Sequence, residues 1–188
     1  MICGRCGAPT IWPVERCREC AGRRLAFRRA RAAVAYSSVA RDLVAAWKEH
    51  GLRRASSLAA ELVVEGLEPP AVDVITYIPP DPTRLLVRGD HPAERLARQL
   101  ARRWSLPAAQ LLVRAGTAPS ARQTGLARAD RLKNARGAFV GVAAAPRRVL
   151  VVDDVYTTGA TVSAAATALR YAGARSVDVV TFARTVRQ

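Results

Sequence analysis

The sequence predicts an α/β fold built on a parallel sheet, preceded by a small four-cysteine module. Three observations carry this expectation. Apolar, β-branched runs alternate with segments whose apolar residues recur at helical spacing, the pattern of strands joined by helices. One run, "VDVITYI" at 72–78, is apolar almost throughout, as in a strand covered on both faces. All four cysteines fall within the first 20 residues, a stretch too short to build a core of its own.

The elements follow in order. Residues 21–31 carry five arginines and read as a basic connector. "AAVAYS" at 32–37 reads as a short strand. From Val39 to His50 the apolar residues Leu43, Val44 and Trp47 recur at helical spacing, with Gly51 as a stop. "SSLAAELVVEGL" at 56–67 offers serines as caps and Leu58, Leu62 and Val63 on one face. The strand at 72–78 ends on Pro79 and Pro80. A helix over 91–104 has Pro92 in its first turn and a stripe of Leu96, Leu100 and Trp104. "AQLLV" at 109–113 is the next predicted strand of the sheet. A long polar stretch then runs from Arg114 to Arg136. Strands at 148–154 and 176–184 flank a helix at 160–173 that Gly173 closes.

Chain length suits one medium domain with a small appendage, divided as 1–25 and 26–188. No stretch approaches the roughly 20 apolar residues of a membrane span. The N-terminus has no charged lead before an apolar run. The expected location is therefore the cytoplasm. The formal charge is +15, and only Lys48 and Lys133 among 30 basic residues are lysine. Arginine's planar fork grips phosphate with two hydrogen bonds, so the charge favours an anionic partner: nucleic acid, polyphosphate or a phosphorylated metabolite. A genome of biased base composition produces the same arginine count with solvated side chains, and both readings stay open.

Cys3, Cys6, Cys17 and Cys20 form two C-x2-C knuckles separated by ten residues. Each knuckle turns two thiolates toward one point, and two complete a tetrahedral shell suited to a structural zinc ion. Two disulfides are the competing reading, disfavoured in a reducing cytosol. The shell leaves no open ligand position, so no chemistry is expected there. Trp12, between the knuckles, either covers the metal, docks on the main domain or stacks a base.

"VVDDVYTTGAT" at 151–161 ends an apolar run on two adjacent carboxylates. In parallel sheets ligands bind beyond the carboxyl ends of the strands. Adjacent carboxylates repel each other and resist desolvation; the vicinal hydroxyls of a ribose, each donating to a carboxylate, would offset this, and a magnesium ion would help. Thr157, Thr158 and Thr161 supply hydroxyls, Gly159 lets the backbone approach closely, and the helix from Ala160 points unpaired amides into the loop. Acids for a sugar beside a cradle for its phosphate describe a pentose 5-phosphate site. The bland alternative is an ordinary strand–loop–helix turn.

This stretch closely resembles the phosphoribosyl-diphosphate (PRPP) signature of type I phosphoribosyltransferases. The chain as a whole resembles the ComF competence-protein family, which joins a four-cysteine zinc module to such a domain. Besides the cysteines and 151–161, the resemblance rests on Tyr36, the Lys48-to-Gly51 region, Arg88-Gly89, Arg122-Gln123, Leu126, Arg131, Asn134 and Gly137-Ala138-Phe139. It implies a type I phosphoribosyltransferase-like fold and PRPP, with magnesium, as ligand. It implies a catalytic loop within 114–136 and a role in DNA uptake. It casts Asp153 and Asp154 as ribose-binding and, with Arg122, as catalytic candidates, and Thr157, Thr158, Gly159, Ala160 and Thr161 as the 5-phosphate cradle. The diphosphate turn would be Ile78-Pro79-Pro80-Asp81, where the prolines remove two amide donors. After Arg88-Gly89 the family reads Phe-Asn-Gln; this chain reads Asp90-His91-Pro92.

Residues 84–136 carry an excess of nine positive charges, flanking the expected ligand mouth. Pro79, Pro80, Arg88, Arg131 and Lys133 are candidates for diphosphate or for a nucleic-acid backbone. Arg98, Arg102 and Arg103 are expected on the solvent face of their helix. Three functions fit these residues. The first is a ComF-like PRPP-binding protein acting in transformation with DNA-uptake partners. The second is a single-stranded-DNA-binding module whose sugar-phosphate pocket is non-catalytic. The third is a nucleobase salvage transferase, for which no base-stacking aromatic is evident.

Overall fold

A computed structural model describes residues 1–49, 53–80, 91–115, 138–142 and 144–186. Strand β1 spans Arg29–Ala35, followed by helices α1 (Ser38–Glu49) and α2 (Arg53–Gly66), strand β2 (Val74–Tyr77) and helix α3 (Pro92–Arg103). Then come β3 (Leu112–Arg114), β4 (Phe139–Gly141), β5 (Arg148–Tyr156), α4 (Ala160–Tyr171) and β6 (Ser176–Arg184). The main sheet has the order β1-β6-β5-β2, and every neighbouring pair is parallel. The fold is thus the mixed α/β type with a parallel sheet that the alternating pattern predicts. Among the described residues, no helix is long and apolar enough to cross a membrane.

The sheet is covered on both faces, which explains its near-continuous Val/Ile/Leu content. One face packs Val44 and Trp47 of α1, Ala59 and Val63 of α2, and Leu96 and Leu100 of α3 against Ile75, Leu150, Val152 and Phe182. Trp47, Leu96, Leu100 and Leu150 have no exposed surface. The opposite face packs Val162, Ala165, Ala166 and Leu169 of α4 against Val149, Val151, Val177 and Val179. Cys3, Cys6, Cys20 and Phe27 join that second cluster. The cysteine module therefore shares the main core.

Two expectations about strands are corrected. The run at 109–113 is not a strand of the main sheet. Residues 107–109 lie along the outer edge of β2, where Ile75 donates to the Pro107 carbonyl (2.8 Å) and Ala109 to the Ile75 carbonyl (3.0 Å). Only Leu112–Arg114 forms a strand, and it pairs antiparallel with β4 in a separate two-stranded sheet. The chain thus touches β2 and then veers away to meet a strand that no local periodicity could reveal.

The second correction concerns the acidic pair. β5 does not stop on Asp153 and Asp154; it continues through Tyr156, in register with β6 from Arg148↔Ser176 to Tyr156↔Arg184. What changes at the acids is the facing of the strand. Val149 and Val151 lie in the α4-side core and Leu150 and Val152 in the other, yet beyond the acids Val155 packs with the second and Tyr156 with the first. The alternation reverses across Asp153–Asp154, while the register with β6 is the same on either side of the pair.

The buried charge Asp178, 1% exposed in β6, is met by Arg28 (Nη2 to Oδ2 2.5 Å, Nε to Oδ1 2.9 Å) and Arg29 (3.1 Å). The basic connector predicted over 21–31 therefore runs into β1, and two of its arginines neutralise a core carboxylate.

Candidate ribose-phosphate site and metal centre

The connections leaving β2 and β5 go to opposite faces of the sheet. After β2 the chain reaches α3 on one face and then the outer edge of β2. After β5 it reaches α4 on the other face and then β6. Neighbouring parallel strands whose connections diverge in this way leave a crevice beyond their carboxyl ends, the place where open α/β sheets bind ligands. Asp153 and Asp154 stand at that crevice, because pairing of β5 with β2 ends at Tyr77↔Val152.

The local geometry shows how two adjacent carboxylates are tolerated. Arg148 and Val152 turn their backbone groups toward β2, accepting from the amides of Asp73 (2.8 Å) and Ile78 (3.1 Å). By the two-residue period Asp154 is next on that side, where β2 has ended. Its amide instead donates to Asp153 Oδ1 (2.9 Å), and the Val155 amide donates to Asp154 Oδ1 (2.7 Å). Each carboxylate thus accepts the amide that follows it. Both residues are half-buried at the end of the β2 pairing.

Thr157, Thr158, Ala160 and Thr161 are exposed and Gly159 is buried. Gly159 takes the left-handed conformation (φ 74°) as the N-cap of α4, where a residue with a Cβ would be strained. Thr158 Oγ1 accepts from the Ala160 amide (3.3 Å) and the Gly159 carbonyl from the Ser163 amide (3.0 Å). Amides of the first turn of α4 have no intrahelical partner and point, with the positive end of the helix dipole, into this loop. Acids and loop are thereby brought to one corner of the sheet.

The floor of the loop is Tyr156, which sequence reading passed over although it sits inside the quoted stretch. It is 4% exposed, and a Cβ on Gly159 would overlap its phenolic oxygen. Its ring meets Phe27 edge-on at 6.3 Å and lies under the Arg184 guanidinium at 4.6 Å. Burial pushes the Tyr156 phenol up, and the Arg184 guanidinium opposes it.

Of the other candidates, Arg88, Arg122, Arg131 and Lys133 lie outside the described residues. Pro79 and Pro80 lie at the crevice after β2, and the Pro80 carbonyl accepts from Arg114 Nε (2.8 Å). Neither proline has an amide to offer an anion.

The four cysteine sulfurs all lie within 4.8 Å of one another. Cys3–Cys20 is 3.7 Å, Cys6–Cys17 3.5 Å and Cys17–Cys20 3.9 Å. A metal about 2.3 Å from each of four tetrahedral sulfurs separates them by about 3.8 Å, so the cluster fits a metal such as zinc. Its turns are held by Cys3 to Ala8 (2.7 Å) and Gly7 to Cys3 (3.0 Å) backbone bonds. Burial resists ionisation of Cys3, yet amides of Cys6, Cys17 and Arg5 bring its thiol down to about 6. Burial pushes Cys6 and Cys20 up. Trp12 covers neither metal nor core: it is 67% exposed and, with Ile11 and Val14, lines a groove of about 510 Å³ between the knuckles.

No family model matches the sequence, and no curated protein matches it. Solved structures similar to it are phosphoribosyltransferases. They include glutamine phosphoribosylpyrophosphate amidotransferase from B. subtilis complexed with ADP and GMP, at 24% identity and TM-score 0.47, over 67% of this chain and 25% of that one. Orotate phosphoribosyltransferase from Aeropyrum pernix is 21% identical with TM-score 0.43, over 70% of this chain and 60% of that one. Adenine phosphoribosyltransferase from Thermoanaerobacter pseudethanolicus is 15% identical with TM-score 0.44, over 72% of this chain and 83% of that one. The chain thus spans a quarter of the length of the amidotransferase.

Proposed function

We propose that the crevice between β2 and β5 binds PRPP or a related ribose 5-phosphate. Asp153 and Asp154 accept the ribose hydroxyls, and the loop from Thr157 to Thr161 takes the 5-phosphate. The observation that carries this reading is the convergence of the acid pair and the Gly159 loop at the one point where connections leave neighbouring strands for opposite faces. Amides and hydroxyls suit phosphate; carboxylates already satisfied by backbone amides keep lone pairs for a diol. Magnesium would enter with a diphosphate and neutralise its charge. Zinc at Cys3, Cys6, Cys17 and Cys20 is structural on this reading. The ComF resemblance extends it to a cytoplasmic role in DNA uptake.

Calorimetric titration of the full chain with PRPP and magnesium tests this. Binding is expected in the wild type and its loss in Asp153→Asn/Asp154→Asn. Equal responses from both proteins would remove the reading.

A second reading, an anionic-polymer surface, is favoured by a groove of about 340 Å³ between α2 and α3 lined by Arg54, Ser56, Ser57, Arg95, Arg98, Gln99 and Arg102. Glu94 neutralises Arg98 (2.7 Å), while Arg54 and Arg102 have no ion pair among the described residues. Single-stranded DNA binding that weakens steeply with salt, and less steeply in Arg54→Gln/Arg102→Gln, is its signature.

A further inference from the structure

The geometry points to Arg184 and Tyr156 as positioning residues that link occupancy of the cysteine centre to affinity at the phosphate loop, in both directions. The inference rests on the ribose-phosphate reading of the loop. Its basis is a chain of direct contacts. Arg184 is 4% exposed at the end of β6. Its Nη1 donates to the Cys6 carbonyl (2.5 Å), and its Nη2 to Glu19 Oε2 (2.7 Å), with Cys6 Sγ at 3.8 Å. The same guanidinium lies 4.6 Å over the Tyr156 ring. The phenolic oxygen of Tyr156 fills the space beside Gly159, the N-cap of α4 and the centre of the phosphate loop.

Each link is stiff for a physical reason. A buried guanidinium cannot move away from its partners without leaving charge unpaired. Four thiolates on a divalent ion carry a net charge of minus two, so metal binding strengthens the hold of the Cys6 knuckle on Arg184. Phe27 blocks retreat of the Tyr156 ring: it has no exposed surface and meets that ring edge-on. Arg5, its Cζ 6.0 Å from the Phe27 ring, ties the first knuckle to the same stack by donating to the Leu25 carbonyl (2.7 Å). Gly159 cannot sink toward Tyr156, whose phenolic oxygen already fills the space beside it. Loading the metal therefore fixes the floor on which the loop rests. By linkage, a ligand that orders the loop must tighten the hold on the metal by the same factor.

The test uses the full-length, zinc-loaded protein and ribose 5-phosphate as probe. Zinc affinity is measured by equilibrium competition with a chromophoric chelator, with and without saturating probe. In the wild type the probe should tighten zinc binding about 5-fold or more, within the usual range of coupling between sites. In Tyr156→Leu and in Arg184→Met, each first checked for native circular dichroism, the ratio of the two affinities should approach one. A merely structural role would change both affinities and leave the ratio intact. If the probe binds by calorimetry and the wild-type ratio is one, the linkage is wrong and the ribose-phosphate reading survives.

If the probe does not bind, that reading falls, and a ligand-free arm decides the linkage alone. Gly159→Ala should bind zinc about 5-fold more weakly than wild type, and Tyr156→Phe/Gly159→Ala, which removes the overlapping oxygen, should restore much of the difference. Unchanged zinc affinity in Gly159→Ala overturns the linkage. Where Gly159→Ala does not fold, Tyr156→Phe alone carries the comparison: it should weaken zinc binding, and an affinity equal to wild type overturns the linkage.

Discussion

The phenolic oxygen of Tyr156 occupies the space beside Gly159 that any side chain there would need. Two constraints therefore meet at one glycine: a left-handed φ of 74° and a filled neighbouring volume. Gly159→Ala should cost about 1–3 kcal/mol through strain and overlap, a fall of roughly 3–10 °C in Tm for a chain of this size. Tyr156→Phe in the same background should recover part of it. Thermal unfolding followed by circular dichroism measures both, and a double variant no better than Gly159→Ala alone would mean that the oxygen is not the obstacle.

Asp153 and Asp154 spend one oxygen each on the amide that follows. Asparagine keeps that acceptor and loses the charge. Asp153→Asn/Asp154→Asn should therefore stay within about 1 kcal/mol of wild-type stability while ribose 5-phosphate binding falls at least about tenfold, equivalent to roughly 1.4 kcal/mol. Asp153→Ala/Asp154→Ala should lose binding and, in addition, stability, because two amides at the crevice are orphaned. A stability loss equal in the two double variants would contradict the amide-capping role.

Zinc uptake should release protons in a pH-dependent number. In the metal-free protein burial holds Cys6 and Cys20 protonated at neutral pH, while backbone amides outweigh burial at Cys3 and hold its thiol at about 6. Metal ligation needs thiolates. Near pH 7.5 binding should expel at least the protons of Cys6 and Cys20, and below about pH 6 that of Cys3 as well. Affinity accordingly rises with pH and is lost with increasing steepness on acidification. Calorimetry in two buffers of different ionisation enthalpy counts the protons; clearly fewer than two released at pH 7.5 would refute this.

The Asp178 cluster should respond asymmetrically. Asp178 is 1% exposed, whereas the side chains of Arg28 and Arg29 are 53% and 39% exposed. Asp178→Ala leaves two arginines that can rehydrate, a loss of about 1–2 kcal/mol. Arg28→Met/Arg29→Met strands a carboxylate inside β6 and should cost about 3–5 kcal/mol. Urea unfolding of the two variants distinguishes them, and the reverse ranking would refute the assignment.

Residue order alone determined much of this protein. Period and composition gave the alternation of strands and helices, because a strand buried on both faces must be apolar at every position and a packed helix on one stripe only. Two C-x2-C knuckles within 20 residues announced a single cluster of four cysteines able to hold a metal, since the spacing is short enough for local turns to set it. "DDVYTTGAT" marked one corner of the sheet, since acids, hydroxyls and glycine adjoin in the chain. The rest depended on contacts between distant residues. Residues 107–114 turn from the edge of β2 into a separate sheet because their partner, β4, lies across a long stretch of chain. β5 runs past its acids because β6 remains in register beside it. Arg184, one arginine among many in the sequence, acquires its place between Cys6 and Tyr156 only when the last strand is laid along the first knuckle. Local spacing encodes what a turn or a helix can do by itself; partner choice across the sheet is decided by packing, and packing exists only once the chain has folded.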